Sequence, residues 1–101
     1  MAATPEKRVK SAIKAWLDAH GFYHFSPTAG PYTVHGIPDI IVCAQGRFVG
    51  IECKAPGREK ETTPNQKEHL RRISDAGGLS FVACSPLDVV AQFTKQGIVI
   101  A

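Results

Sequence analysis

The sequence predicts one α/β domain over residues 1–101, with a central mixed β-sheet flanked by helices in the order αβββαβα. Two short apolar runs joined by a Gln-Gly turn lie between residues 36 and 54, which is the pattern of a β-hairpin. Three other segments begin with a capping residue followed by proline, which is typical of helix starts. A chain of this length is expected to bury about 65% of its unfolded surface.

The first helix is predicted over residues 5–20. Thr4 suits the N-cap, Pro5 suits the first helical position and Gly21 ends the segment. An apolar stripe follows the helical spacing and comprises Val9, Ile13, Trp16 and Leu17. Glu6 lies on the same side, near the helix start. Two interpretations of Glu6 stay open, an acid that interacts favourably with the helix dipole or a third acid of a metal site.

A short aromatic strand is predicted over residues 22–25. The next segment, residues 26–36, is too rich in glycine and proline for regular structure and is long for a connecting loop. Long loops beside an active strand often carry substrate contacts. This loop leads directly into the hairpin.

The turn of the hairpin sets its register. If Gln45 and Gly46 form the turn, counting outward along the two strands places Asp39 opposite Glu52. Side chains alternate between the faces of a strand, so Lys54 shares the face of Glu52. Three charged residues are therefore expected at one end of an otherwise apolar hairpin.

Two opposed carboxylates need a cation between them. At a separation of about 4 Å they repel by about 1 kcal/mol in water and about 4 kcal/mol at an effective dielectric constant of 20. The rest of this face is apolar, which predicts a hairpin buried on both faces, with Ile37, Ile41, Cys43 and Phe48 beside the charges. A divalent cation held by Asp39 and Glu52, with Lys54 beside it, would complete a site that activates water. The alternative is a surface ion cluster neutralised by Lys54.

A charged linker over residues 55–62 leads to a second helix, predicted over residues 64–76. Thr63 and Gln66 have the spacing of a capping box, and Gly77 ends the helix. Gln66 also extends the inner stripe of this helix toward its N-terminus. Its amide either serves only as a cap or points at the hairpin.

The C-terminal part predicts a buried strand over residues 79–84 and a helix from Ser85 to about Lys95. Gly97 breaks this helix. The apolar residues 98–100 then predict a terminal edge strand.

The composition is that of an ordinary globular domain, with 44% hydrophobic and 21% charged residues. The net charge of +3 permits a polyanionic partner without demonstrating one. Three cysteines lie in apolar runs without metal-binding spacing, namely Cys43, Cys53 and Cys84. They are expected to be buried, reduced thiols of a cytoplasmic protein. No signal peptide or apolar run of about 18 residues is present, so neither secretion nor a membrane span is expected.

This combination resembles the PD-(D/E)XK nuclease superfamily, and within it the VRR-NUC family. The resemblance is carried by Gly-Ile-Pro-Asp at residues 36–39, by Glu-Cys-Lys at residues 52–54 and by Gln66 in the following helix. It extends from Glu6 to about Cys84. It implies a restriction-endonuclease-like αβββαβα core.

The resemblance also implies roles for the hairpin residues. Asp39 and Glu52 would be ligands of Mg²⁺ or Mn²⁺, with the backbone carbonyl of Cys53 as a further ligand. Lys54 would be the catalytic lysine. Cys53 stands where the family usually has Val or Ile, which is expected to be tolerated because only its carbonyl would bind the metal.

Two helical residues match the family as well. Gln66 corresponds to the family's glutamine on the helix after the lysine strand, and Glu6 to the acid often found in its first helix. Stand-alone members of this size resemble phage-type enzymes that act as homodimers on branched DNA, including Holliday junctions. The implied function is a structure-selective endodeoxyribonuclease inside a bacterial or phage-infected cell. The alternatives are a nuclease acting on linear duplex or flap DNA, and a non-catalytic DNA-binding module.

Five further residues are candidates for DNA contact. Arg58 and Lys60 lie just beyond the hairpin, and Lys67 lies on the flank of the second helix. Tyr32 and His35 lie in the long loop before the hairpin. The alternative for the three basic residues is a solvated surface charge. The alternative for the two loop residues is an ordinary structural role.

Overall fold

The computed structural model describes residues 3–28 and 34–101, and within them it forms an α/β fold with one mixed sheet and three helices. The helices are α1 (Pro5–Ala19), α2 (Pro64–Asp75) and α3 (Pro86–Lys95). The strands are β1 (Tyr23–Phe25), β2 (Ile40–Ala44), β3 (Arg47–Cys53) and β4 (Leu79–Ala83). A 3-10 turn, Glu59–Glu61, lies within the charged linker. The elements follow the predicted order.

All three helices begin at the predicted caps. The hydroxyl of Thr4 accepts a hydrogen bond from the backbone N–H of Lys7, and that of Thr63 accepts one from Gln66, each at 3.2 Å. Ser85 caps α3 in the same way. Each helix also has proline in its first turn, where the missing N–H costs nothing. The starts of these helices are therefore set by local sequence.

The sheet has the strand order β1-β2-β3-β4. The pairs β1–β2 and β2–β3 are antiparallel, whereas β3 and β4 are parallel. A parallel connection needs a crossover, and α2 supplies it. Helix α2 therefore lies over the β3–β4 half of one face of the sheet.

The other face of the sheet forms the main core, against α1 and α3. It contributes the apolar residues Ile40, Val42, Ala44, Val49, Ile51, Cys53, Leu79, Phe81 and Ala83. The two helices add Val9, Ile13 and Leu17 from α1, and Val89 and Phe93 from α3. The ring of Phe93 packs edge-on against Phe22 and Phe81. This core is the rigid layer behind the hairpin.

The predicted burial of the hairpin on both faces is wrong at its turn end. Phe48 is 51% exposed, and Cys43, its partner in the register, is also exposed. Helix α2 covers Gly50 through Ile73 but does not reach across β2. The expectation of a buried thiol is therefore wrong for Cys43, while the Cys53 thiol is buried and the Cys84 thiol is partly exposed.

The predicted terminal edge strand over residues 98–100 is not formed. The side-chain amide of Gln45 donates to the carbonyl of Val99 at 2.9 Å and accepts from its N–H at 3.1 Å. One side chain thus satisfies both backbone groups of Val99. The C-terminal segment is held against the hairpin turn without pairing with a strand.

Within residues 3–28 and 34–101, none of the helices combines the length and apolarity that a bilayer span requires.

Candidate metal centre

Three acidic side chains meet at the open end of the hairpin, opposite the turn. One carboxylate oxygen from each of Glu6, Asp39 and Glu52 lies within 4.8 Å of the others. Glu6 comes from the first turn of α1, Asp39 directly precedes β2 and Glu52 lies in β3. Three segments that are distant in sequence therefore converge on one point.

The observed register is the predicted one. Ala44 pairs with Arg47 and Ile40 pairs with Ile51, so the next pair outward is Asp39 with Glu52. Gln45 and Gly46 both have positive φ, 53° and 82°, as the favoured two-residue hairpin turns require.

Asp39 is positioned by one hydrogen bond and by the packing of the loop that precedes it. Its Oδ2 atom accepts a hydrogen bond of 2.8 Å from the backbone N–H of Cys53. Upstream, Gly36 has a φ of 88°, and a Cβ placed on it would lie 2.6 Å from the carbonyl carbon of Asn65. The loop before Asp39 therefore lies directly against the start of α2, an approach that requires glycine.

Glu52 is only 2% exposed. Burial, a hydrogen bond with Asp39 and the charge of Asp39 raise the pKa of Glu52 to about 9, although the nearby Lys54 acts in the opposite direction. Without a cation, Glu52 thus keeps its proton at neutral pH. A bound divalent cation would replace that proton and favour the ionised carboxylate.

Lys54 lies between two of the acids. Its Nζ atom is 3.8 Å from Oε2 of Glu52 and 3.7 Å from Oε1 of Glu6, and its side chain is 11% exposed. Its backbone N–H donates to the carbonyl of Ala83 on β4. The neighbouring strand therefore fixes the backbone from which Lys54 reaches the acids.

Gln66 has both of the functions that the sequence left open. Its Oε1 atom accepts from the backbone N–H of Thr63 at 2.9 Å, which closes the capping box. Its Nε2 atom donates to Oε2 of Glu52 at 3.1 Å. The cap of α2 therefore also orients a carboxylate of the cluster.

The cluster has the chemistry of a site for a hard divalent cation. Its donors are carboxylate oxygens, which suit Mg²⁺ and Mn²⁺ better than Zn²⁺. The pKa of Glu52 is raised first by burial and then by Asp39, and the nearby Lys54 does not offset these effects. Glu6 lies in the first helical turn, as the dipole interpretation requires, and also within the cluster. The carbonyl of Cys53 stays a predicted ligand.

A cavity of about 430 Å³ opens beside Lys54. It is lined by Thr4, Pro5, Glu6, Lys54, Ala55, Arg58 and Glu61. Arg58 is thus the candidate DNA contact that shares this cavity with Glu6 and Lys54, and its guanidinium is paired with Glu61 at 3.4 Å. The cavity is large enough for a small anionic group to approach Lys54.

The other candidate DNA contacts lie away from this cavity. Lys60, in the 3-10 turn, and Lys67, in the first turn of α2, are exposed. His35 is exposed in the loop before the hairpin. Tyr32 lies outside the described residues.

One group of exposed side chains was missed by the sequence reasoning. Tyr23, Phe25 and Phe48 are 73%, 51% and 51% exposed on a single face of the sheet, and we call them the aromatic surface. The available signal was the aromatic alternation at residues 23 and 25. That alternation indicates a strand but does not show that the face carrying the rings is exposed.

No family model, curated protein or solved structure matches this chain. The class that the fold and site define is an α/β protein with a carboxylate cluster in which Glu52 is buried, Asp39 half-buried and Glu6 exposed, together with a lysine and a restraining glutamine. Assignment to the VRR-NUC family stays a hypothesis based on these residues.

Proposed function

We propose that this protein is a Mg²⁺- or Mn²⁺-dependent endodeoxyribonuclease with a restriction-endonuclease-like core. The observation that carries the proposal is the convergence of Glu6, Asp39 and Glu52 around Lys54. Placing two further carboxylates next to the buried Glu52 costs free energy unless they bind something. Hydrolysis of a phosphodiester is a reaction that uses such acids together with a cation and a lysine.

Asp39 and Glu52 would hold the metal ion, with the carbonyl of Cys53 as a further predicted ligand and Glu6 at its edge. When bound, the ion would polarise the scissile phosphate and lower the pKa of a water molecule. Gln66 restrains Glu52 through a hydrogen bond of 3.1 Å. This bond limits the rotation of the carboxylate that would face the substrate.

Lys54 would act on the reacting phosphate and water. Its ammonium group donates hydrogen bonds and can orient the attacking water or offset the charge that grows on the phosphorane. Water adds to phosphorus while the 3′-oxygen leaves and takes up a proton. The products are a 5′-phosphate and a 3′-hydroxyl.

We further propose branched DNA, including four-way junctions, as the preferred substrate, cleaved by a homodimer. This part rests on the resemblance to stand-alone VRR-NUC enzymes. The net charge of +3 and the position of Arg58 in the cavity beside Lys54 support a polyanionic substrate.

The test is cleavage of labelled four-way junction, flap and linear duplex DNA with Mg²⁺ or Mn²⁺. Wild-type protein should cleave the junction, and chelation of the metal should stop it. Lys54→Ala should reduce the rate by about 100-fold or more. Lys95→Gln, which removes an exposed charge from α3, should have no effect.

Three outcomes would change the proposal. Equal cleavage by wild type and Lys54→Ala would contradict the assignment of the site. Faster cleavage of flap or linear duplex DNA would replace the branched substrate. DNA binding without Mn²⁺ binding in calorimetry would indicate a non-catalytic DNA-binding module.

A further inference from the structure

The aromatic surface is a continuous feature of the sheet. The strand register places Tyr23 opposite Cys43, and Cys43 opposite Phe48, across three adjacent strands. Phe25 lies two residues along β1 and therefore points to the same side. Three rings thus share one exposed sheet face.

This face is also the one that carries the metal centre. Phe48, Gly50 and Glu52 alternate along β3, so Phe48 and Glu52 lie on the same side and about 14 Å apart. Pro38 and Ile73 pack over Gly50 between them, since a Cβ there would lie 3.0 Å and 2.7 Å from these two side chains. An extended ligand lying across Pro38 and Ile73 would reach both Phe48 and Glu52.

A basic groove borders the aromatic surface. It has a volume of about 460 Å³ and is lined by Phe48 and by His69, Arg72, Ile73 and Ala76 of α2 and its C-cap, with Gly78. Within the described parts of the chain, the guanidinium of Arg72 makes no hydrogen bond or ion pair. Its neighbour Arg71 is paired with acids on both sides along α2. Arg72 is therefore a cation available to an anionic ligand beside exposed rings.

We propose that the aromatic surface stacks against unpaired DNA bases while Arg72 contacts the adjacent phosphates. Exposed aromatic rings beside a basic groove are the features that bind single strands, because every base has a π-face. In a duplex, both faces of an internal base are already stacked. The surface would thus add affinity for unpaired bases near the cleavage site to the proposed preference for branched DNA, an inference that rests on the proposed nuclease function.

A second copy of the chain is the competing occupant, and the charges favour DNA. An apolar interface between copies gains nothing from Arg72 and His69 at its border, whereas a polyanion does.

Binding of a short single-stranded oligodeoxythymidine, compared with a blunt duplex, tests the inference without divalent metal. Leucine variants keep apolar area but remove the π-face, so Tyr23→Leu, Phe25→Leu and Phe48→Leu should each weaken single-strand binding by about fivefold or more. Their affinity for blunt duplex should be unchanged. Leu87→Ala, at an exposed apolar position on α3, is the apolar control and should bind as wild type does.

Two further measurements make the test specific. Arg72→Gln should weaken single-strand binding and reduce its salt dependence, whereas Lys95→Gln should do neither. Ultraviolet crosslinking of an oligonucleotide containing 5-iododeoxyuridine should yield adducts on the three rings. Wild-type affinity in all leucine variants, or adducts confined to other residues, would overturn the inference.

The oligomeric state distinguishes DNA from a second copy of the chain as the occupant of the aromatic surface. If Phe48→Ser converts a dimer to a monomer in sedimentation and leaves single-strand affinity unchanged, the surface joins two copies and the inference is wrong. Failure of the proposed function gives a different pattern, in which wild type cleaves no DNA although the rings still crosslink. Lys54-dependent cleavage together with wild-type binding by the leucine variants would overturn only the base-stacking inference.

Discussion

The two ends of the β2–β3 hairpin are stabilised in opposite ways. At the turn end, Gln45 and Gly46 adopt the positive φ values of a tight turn, and the amide of Gln45 binds the backbone of Val99. At the open end, Asp39 and Glu52 oppose each other, Gln66 of α2 donates to Glu52, and Lys54 lies between Glu52 and Glu6 of α1. The turn itself is set by local sequence and is held to the C-terminal segment by a neutral side chain, whereas the open end is charged and assembled from three segments.

The difference indicates that the fold gives up stability at the open end. An apolar pair in place of Asp39 and Glu52 would satisfy the fold at lower cost, since a buried carboxyl pair is unfavourable without a cation. The protein instead keeps Glu52 buried and protonated, with Gln66 and Lys54 around it. The predictions below test this contrast, from the largest expected effect to the smallest.

The largest effect is expected from Glu52→Gln. Glutamine is close in shape to a protonated glutamate, so the metal-free fold should be retained at neutral pH. The Mn²⁺ affinity should fall by more than about 100-fold, because loss of a ligand exceeds the usual effect of an outer contact. Calorimetric titration measures the affinity and urea unfolding measures the stability.

Glu68→Gln is the matched control. Glu68 is an exposed acid on α2 that is paired with Arg71 and is not a member of the cluster. Its amide variant should bind Mn²⁺ as wild type does. An equal loss of affinity in the two variants would contradict a specific site at the open end.

The second-largest effect is expected when the Mn²⁺ affinity is measured as a function of pH. Because the pKa of Glu52 is raised to about 9, the cation must displace a proton at lower pH. Affinity should therefore rise by about tenfold per pH unit and level off near pH 9. Glu52→Gln should remove most of this dependence, and a flat profile in the wild type would contradict it.

In the absence of metal, the free energy of unfolding should fall as pH rises, whereas the Mn²⁺ affinity rises. A raised pKa means that the fold favours protonated Glu52, whereas the unfolded chain ionises it at the ordinary carboxyl pKa. The stabilisation is complete below that ordinary pKa and is lost as pH rises toward about 9. Urea unfolding at several pH values, with Glu52→Gln alongside, measures this loss.

The contrast between the ends also explains what the sequence could predict. Caps such as Thr63 and the Gln45-Gly46 turn are local features, and the turn alone leads to the pairing of Asp39 with Glu52. The pairing of Asp39 with Glu52 was therefore predictable from the turn and from the residue positions along the two strands. The bond from Gln66 to Glu52 was left open, because it depends on where α2 packs.

The failures involve contacts between distant segments. Phe48 and Cys43 belong to an apolar strand pattern, but their exposure depends on how far α2 extends across the sheet. Residues 98–100 have strand composition, yet the amide of Gln45 occupies the backbone groups of Val99. Neither outcome follows from periodicity, because each depends on a tertiary contact.

Alanine substitution of two glycines compares the ends directly. Gly36 and Gly46 have similar positive φ values, 88° and 82°, but only a Cβ at Gly36 would meet backbone atoms, those of Asn65. Gly46→Ala should cost about 1 kcal/mol of backbone strain. Gly36→Ala should cost about 3 kcal/mol, because the close contact adds to that strain.

Only the variant at the open end should also affect the metal centre. Gly36→Ala displaces the loop that leads into Asp39, so its Mn²⁺ affinity should fall, whereas Gly46→Ala should bind as wild type does. Urea unfolding and calorimetry of the two variants measure both effects. Equal costs in stability and unchanged metal binding would show that the Asn65 contact does not position Asp39.

The smallest effect is expected from Gln45→Ala at the turn end. This variant removes the two hydrogen bonds to Val99, which is itself 67% exposed, so water can replace them. The net cost should be about 1 kcal/mol, with faster hydrogen exchange at the amide of Val99. Mn²⁺ affinity should stay that of the wild type, because the lost bonds lie at the far end of the hairpin. A change in metal binding would mean that the two ends are coupled through the ladder, and the contrast between a local end and an assembled end would then fail.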